Sequence, residues 1–202
     1  AVQRDYPYRA WINFERLTGN CYRVLAFWAQ STRAALLSRD NDDTAFFDVS
    51  CGDAEKFMQR MSTKTNANLR YYYRLLERKV GLPTHEINTS QSIDELQLNF
   101  SQFLAIEKSG WKGEKGTAIA QLEHSKRFHY TLCEIAANQG QLRWYKLYAG
   151  KQLVAMNLAI QRQSTLWVVK TAYDDDYKQY SPGALEVTEL LKSAVEDKSI
   201  NS

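Results

Sequence analysis

Residues 165–192 read TLWVVKTAYDDDYKQYSPGALEVTELLK, and their order decides the fold. The first seven are rich in β-branched and aromatic types and predict a strand. An acidic, tyrosine-rich loop follows. Ser181-Pro182-Gly183 then opens a helix, with serine at the N-cap and proline at the first helical position. Leu185, Thr188, Leu191 and Ala194 or Val195 continue it as an apolar stripe at helical spacing. A helix start offers free backbone N–H groups and a partial positive charge, which suits a phosphate or an oxyanion. Gly183 has no Cβ, so such a group could approach the backbone closely. The alternative for the same three residues is a plain helix cap.

Upstream of this stretch, Leu142–Tyr148 and Gln152–Gln161 are further strands, joined through Ala149-Gly150-Lys151 and Arg162-Gln163-Ser164 into a three-strand antiparallel meander. In the middle strand Val154, Met156, Leu158 and Ile160 face one way, and Leu153, Ala155, Asn157 and Ala159 the other. Both faces are apolar, so this strand is central and covered on both sides. Asn157 is the polar group on the small-residue face, either a satisfied core amide or a contact in a cleft. Lys170 poses the same question on the third strand, since a buried lysine needs a partner or an anion.

Helices are expected at 9–17, over a turn or two at 32–37, from Asp53 with Phe57 and Met61 inward, and from Lys64 to Val80 with a stop at Gly81 and Pro83. They are also expected at 92–107 and from His124 to Asn138, the last with Phe128, Leu132 and Ile135 inward. Tyr22–Trp28 and Ala45–Val49 read as short strands, and Gly110–Thr117 as a glycine-punctuated loop without Walker spacing. Arg70, Arg74 and Arg78 form one basic stripe at i, i+4 and i+8. It reads first as a solvated face and second as a phosphate contact. Glu107 closes the apolar face of its helix beside Trp111. It is either a carboxylate whose burial would suit general acid or base work, or one that reaches solvent or pairs with Lys108 or Lys112.

Composition narrows the class. The chain has 202 residues, 12 Tyr, 5 Trp and a net charge of +3, which fits a folded chain with a sizeable core and argues against a dedicated nucleic-acid binder. No apolar run reaches membrane-spanning length, and no signal peptide is visible, so no membrane insertion is expected. Ala1–Tyr8 reads like sequence from inside a longer protein. Cys21, Cys51 and Cys133 are odd in number and lack metal spacing, so they read as reduced thiols of a cytoplasmic chain with no metal site.

The ordered pieces resemble a known family. They are Ser62-Thr63-Lys64, Asn68-Leu69-Arg70, Leu75-Leu76-Glu77, Gly81, Glu107, Gly110-Trp111-Lys112-Gly113, Gly116-Thr117, Phe128, Gly150, Val154-Ala155, Asn157, Lys170, Tyr173-Asp174, Tyr177 and Tyr180-Ser181-Pro182-Gly183. Helix, meander and glycine-turn helix look like the core of a GNAT acetyltransferase, with an α+β plan of mostly antiparallel mixed sheet flanked by helices. The wording is closest to the branch associated with cellulose or exopolysaccharide biosynthesis, related to Fem-type aminoacyltransferases. That resemblance implies two lobes, with 1–52 the remnant or C-terminal part of the first and 53–202 the second. It implies acyl transfer, acetyl above all, from a coenzyme A thioester or an acyl-tRNA to an amine or hydroxyl of a small-molecule or glycan acceptor.

In that scheme Glu107, Lys170 and Tyr173 are catalytic, with Glu107 the base. Tyr180, Ser181, Gly183 and Ala184 hold the coenzyme A phosphates, and Trp111, Lys112, Asn157 and Tyr177 meet the substrate. The family's phosphate loop reads Gln/Arg-x-x-Gly-x-Gly/Ala. Here it keeps one glycine, lacks the leading Arg or Gln, and carries Pro182, which has no N–H to donate. That departure motivates a second expectation, a non-catalytic accessory of envelope polysaccharide or peptidoglycan assembly. A third is aminoacyl-tRNA-dependent transfer using the arginine stripe. Nothing in the sequence specifies an oligomeric state.

Overall fold

The computed structural model describes residues 19–32, 47–89 and 92–200. The chain divides into two compact units, Ala1–Phe46 and Phe47–Ser202. In the first, helix α1 spans Gly19–Thr32. It replaces the strand expected at Tyr22–Trp28. That run is apolar without alternation, so periodicity alone does not separate strand from helix, and Leu25, Ala26, Ala29 and Gln30 favour the helix. The helix expected at 9–17 and residues 33–37 of the next lie outside the described residues.

In the second unit, Phe47–Val49 runs without regular structure instead of as a strand; Ala45 and Phe46 are outside the described residues. Asp48 turns the chain there by accepting the Ser50 N–H at 3.0 Å. Helices α2 (Ala54–Gln59) and α3 (Thr63–Lys79) follow as expected. Asp53 caps the first by accepting the Lys56 N–H, and Ser62 caps the second by accepting the Thr65 N–H.

A strand that the sequence reading missed comes next. β1 (Pro83–Asn88) pairs antiparallel with β2 (Leu142–Ala149). Its alternation is blurred by polar residues, and Pro83 is tolerated because it opens an outer strand. Where β1 begins, Gly81 lies on Gly150: a Cβ on Gly81 would come 2.7 Å from the Gly150 nitrogen. The Gly150 N–H donates to the Leu82 carbonyl at 3.0 Å, which ties the two turns together.

Helix α4 (Ile93–Ser109) starts at a reciprocal cap. Ser92 accepts the Glu95 N–H at 3.2 Å, and the Glu95 carboxylate accepts the Ser92 N–H at 3.1 Å. The glycine-rich stretch after it, expected as loop, contains one helical turn, α5 (Trp111–Glu114). Helix α6 (Glu123–Asn138) buries His129, Cys133 and Ala136. Phe128 and Ile135, expected inward, are exposed, so the buried face is rotated by one residue from the expected one. β3 (Gln152–Arg162) and β4 (Thr165–Tyr173) complete the meander as expected. The sheet order is β1-β2-β3-β4, antiparallel throughout. The chain is thus an α+β fold, an antiparallel sheet flanked by helices. The acidic loop after β4 is a 3-10 helix at Asp175–Tyr180, and helix α7 (Pro182–Glu196) follows.

Each sheet face has its own cover. On one side Leu96, Phe100, Phe103 and Ile106 of α4 and Cys133 and Ala136 of α6 pack on Trp144, Met156 and Leu158. On the other, α7 packs with α2 on Tyr145 and Ala159, and with α3 on Leu147 and Ala155. A register shift between Leu147 and Tyr148 adds a residue to β3 at this point. Val154 consequently joins the α7 side and Leu153 the α4 side, the reverse of simple alternation.

Candidate functional site

The sheet sorts the candidate residues into two groups. Lys170 lies opposite Leu158, which faces α4 and α6. Glu107 is on α4, buried, and accepts the Ile119 N–H at 2.8 Å. His129 on α6 feels both charges. Burial holds its pKa below the ordinary value, assisted by Lys170 and opposed by its bond to the Ser125 carbonyl and by Glu107. Asn157 and Tyr173 lie opposite Thr171 and Ala155 respectively, on the α7 face. Tyr173, Tyr177 and Tyr180 pack there against the cluster that contains Leu185, with the Tyr177 and Tyr180 ring centroids 6.4 Å apart. The expected base and the expected donor mouth therefore belong to opposite sides of the sheet. Trp111 and Lys112 are the first two residues of α5, and their side chains lie outside the described part of the structure.

The α7 mouth differs in detail from a simple serine cap. Ser181 is the N-cap residue, yet its backbone is left-handed, φ 50°, and its hydroxyl makes no capping bond. The 3-10 helix ends there and the chain must turn sharply into α7, so the backbone does the capping. The Ala184 and Leu185 N–H groups both donate to the Ser181 carbonyl, at 3.0 and 3.1 Å. Ala184 therefore has no N–H left to offer an anion. Among the described residues, the Gly183 N–H and the hydroxyls of Ser181 and Tyr180 have no hydrogen-bond partner. The bare Cα of Gly183 serves the Tyr173 ring, because a Cβ would sit 3.2 Å from Tyr173 Cδ1.

One helical turn further along, α7 carries a group that the sequence reading did not single out. Glu186 is 1% exposed, and neither carboxylate oxygen has a hydrogen-bond partner among the described residues. Its nearest counter-group is His85 of β1, with Nε2 at 3.5 Å from Oε1, a contact longer than a formed hydrogen bond. Burial pushes the Glu186 pKa up to about 7, His85 pulls it back, and Glu189 adds a smaller upward push. The His85 ring stacks on Tyr145, 5.9 Å between centroids, and burial pushes that phenol up to about 12. The Asn157 amide nitrogen is also buried without a partner among the described residues. Glu186 had a legible signal: it lies on the i+4 row of Pro182, Leu190 and Ala194, all buried.

A groove opens beside this pair. Its larger part, about 640 Å³, runs between α2, α3 and α7 and is lined by Arg70, Arg74, Thr188 and Glu55 among others. A second part, about 360 Å³, reaches Pro83, His85 and Leu147. The two parts share Tyr73, Leu185, Glu189 and Lys192. Lys192 is paired with Glu189 at 2.7 Å. Arg70 and Arg74, two members of the arginine stripe, have no ion pair or hydrogen bond among the described residues. No group of three His, Cys, Asp or Glu among the described residues could hold a metal, and none of their helices is long and apolar enough to cross a membrane.

Residues 63–201 match the family described as "Acetyltransferase (GNAT) domain". No curated protein matches the chain.

Proposed function

Because the chain belongs to the GNAT acetyltransferase family, we propose that it moves an acyl group, acetyl in the simplest case, from a coenzyme A thioester to an amine or hydroxyl acceptor. The observation that carries this reading is the mouth of α7. β4 feeds through the 3-10 helix into a helix start where the Gly183 N–H and the Ser181 and Tyr180 hydroxyls have no partner among the described residues. These three donors suit a pyrophosphate, whose charge the helix dipole also favours. Tyr173 and Asn157, on the same sheet face, are the groups for orienting the thioester carbonyl and the negative charge that develops on it. Catalysis is mostly positioning, with no covalent enzyme intermediate.

On this reading Glu107 and Lys170, on the α4–α6 side, support the sheet from behind, and Glu107 fixes the turn at Ile119. The acceptor class, a small molecule or glycan of envelope polysaccharide assembly, is supported by the resemblance to that branch. Calorimetric titration with acetyl-CoA tests the proposal. Saturable heat that falls at least tenfold in affinity in Ser181→Ala/Tyr180→Phe supports it. The reduced donor set at the mouth favours a second reading, a non-catalytic accessory of the same fold; absence of any acetyl-CoA heat would select it.

A further inference from the structure

We propose that the groove between α3 and α7 is the acceptor site, that it takes an acceptor carrying a phosphate or carboxylate, and that His85, positioned by Glu186, removes the acceptor's proton. This rests on the acyl-transfer reading and names the acceptor class for it.

The buried pair is the starting point. A carboxylate 1% exposed, with both oxygens lacking hydrogen bonds among the described residues, is an expensive group to keep. A leucine or methionine at the same place on the buried row with Leu190 and Ala194 would pack without that cost. His85 Nε2 is likewise buried without a hydrogen bond among the described residues, and it lies 3.5 Å from the Glu186 oxygen. An imidazole backed by a buried carboxylate is the arrangement that orients a general base and stabilises the imidazolium it becomes. The ring is not sealed off, because His85 lines the inner end of the groove. Tyr145 of β2 stacks on it, and Glu189 and Lys192 of α7 and Tyr73 of α3 line the same part of the groove.

The outer end of the groove supplies the recognition. Arg70 and Arg74 sit four residues apart on α3, on one face, with no ion pair among the described residues. Glu55 and Glu189 are in the same groove, but Glu189 is held by Lys192. Two adjacent guanidiniums with free donor edges match phosphate or carboxylate oxygens. The donor mouth is close, since Gly183 and Glu186 are three residues apart on one helix, about 4.5 Å of axial rise. The step balances without further reagents. The acceptor N or O forms a bond to the thioester carbonyl carbon, the C–S bond breaks, coenzyme A leaves as thiolate, and the acceptor's proton passes to His85 and on to the thiolate or to solvent.

The test pairs binding with turnover. Inorganic phosphate is titrated calorimetrically into wild type and into Arg70→Ala/Arg74→Ala, whose side chains are exposed so that folding is retained. Binding that weakens at least tenfold in the variant is expected; binding unchanged by the substitutions, or none in wild type, overturns the anion site. Thiol release from acetyl-CoA is then followed with phosphoethanolamine and with ethanolamine. The phosphorylated amine is expected to show at least tenfold higher kcat/KM, and the arginine variant to erase that preference. Equal use of both amines overturns the acceptor class. His85→Gln is expected to lower kcat about a hundredfold at unchanged KM. Glu186→Gln, which keeps the side chain's shape, is expected to lower kcat less and to alter the pH profile. Wild-type kcat in both overturns the base. If acetyl-CoA gives no heat with wild type, the acyl-transfer reading fails and the dyad's role with it, whereas arginine-dependent phosphate binding would uphold the groove as an anion site.

Discussion

Glu186→Gln probes the α7 face through stability alone, without any substrate. The native carboxyl titrates at about 7 against an ordinary value of 4.5, chiefly because it is buried. The folded chain therefore binds this proton more tightly than the unfolded chain does. Between those two values the native state holds more protons, so the stabilisation is complete below pH 4.5 and is lost as pH rises through about 7. A difference of about 2.5 units at about 1.4 kcal/mol each corresponds to about 3 kcal/mol across that window. For a chain of this size that is about 6–12 °C in Tm. Glutamine has the same shape and no proton to lose, so its curve should lack this slope. Urea denaturation of both proteins near pH 4.5 and at about pH 8 reads the difference directly as ΔΔG. The variant should match wild type in acid and exceed it by about 3 kcal/mol in base. Around the site stand His85 on β1, Tyr145 on β2, and Glu189 and Lys192 on α7; the pull of His85 and the push of Glu189 on the carboxyl act only in wild type and are already contained in the value of about 7. Parallel curves for the two proteins would refute the argument that this carboxyl is desolvated.

Three further outcomes are expected. Glu107→Ala removes the acceptor of the buried Ile119 N–H and should cost about 2–3 kcal/mol in urea denaturation, whereas Glu107→Gln keeps an acceptor oxygen, costs under about 1 kcal/mol, and leaves turnover near wild type. A hundredfold loss of turnover in Glu107→Gln at unchanged Tm would reinstate it as the base. Gly81→Ala brings a Cβ to 2.7 Å from the Gly150 nitrogen, a backbone atom that cannot step aside, and should destabilise by about 2 kcal/mol or more by the same assay. Gly183→Ala presses on the Tyr173 ring at 3.2 Å and should cost about 1 kcal/mol while weakening acetyl-CoA binding in calorimetry; unchanged affinity would separate Tyr173 from the donor.

Much of the fold can be read from the residues, and the exceptions have physical causes. The meander was legible because two short turns separate three runs of strand formers, and α7 because Ser181-Pro182 announces its start. β1 was not, since Pro83, Glu86 and Asn88 are types depleted from strands and the segment becomes a strand by pairing with β2. α6 was placed correctly but turned by one residue, because Phe128 and Ile135 are apolar yet lie on its outer side. The separation of the candidate site was partly available. Lys170 and Tyr173 are an odd number of residues apart on one strand, which by itself puts them on opposite faces. Which helix covers which face is a matter of tertiary packing that local spacing does not encode. That is why Glu107 could be expected at the donor mouth and lies instead behind the sheet. His85 and Glu186 are about a hundred residues apart in the chain, and their meeting depends on β1, the strand that local propensity conceals.

Helix α7 has a consequence for how this unit opens. Leu185 near its start packs with Leu76, Leu147 and Ala155, whereas Leu190, Leu191, Ala194 and Val195 pack with Val49, Phe57 and Ala159. The helix thus spans both apolar clusters, as β2 and β3 do beneath it. Amide protons in its central turns exchange with solvent only when both clusters let go together, which makes them reporters of global opening. A ligand seated at its first turn would accordingly slow exchange all the way to the far cluster around Val195 and Ile200, so occupancy at one end of the helix would be felt as rigidity at the other.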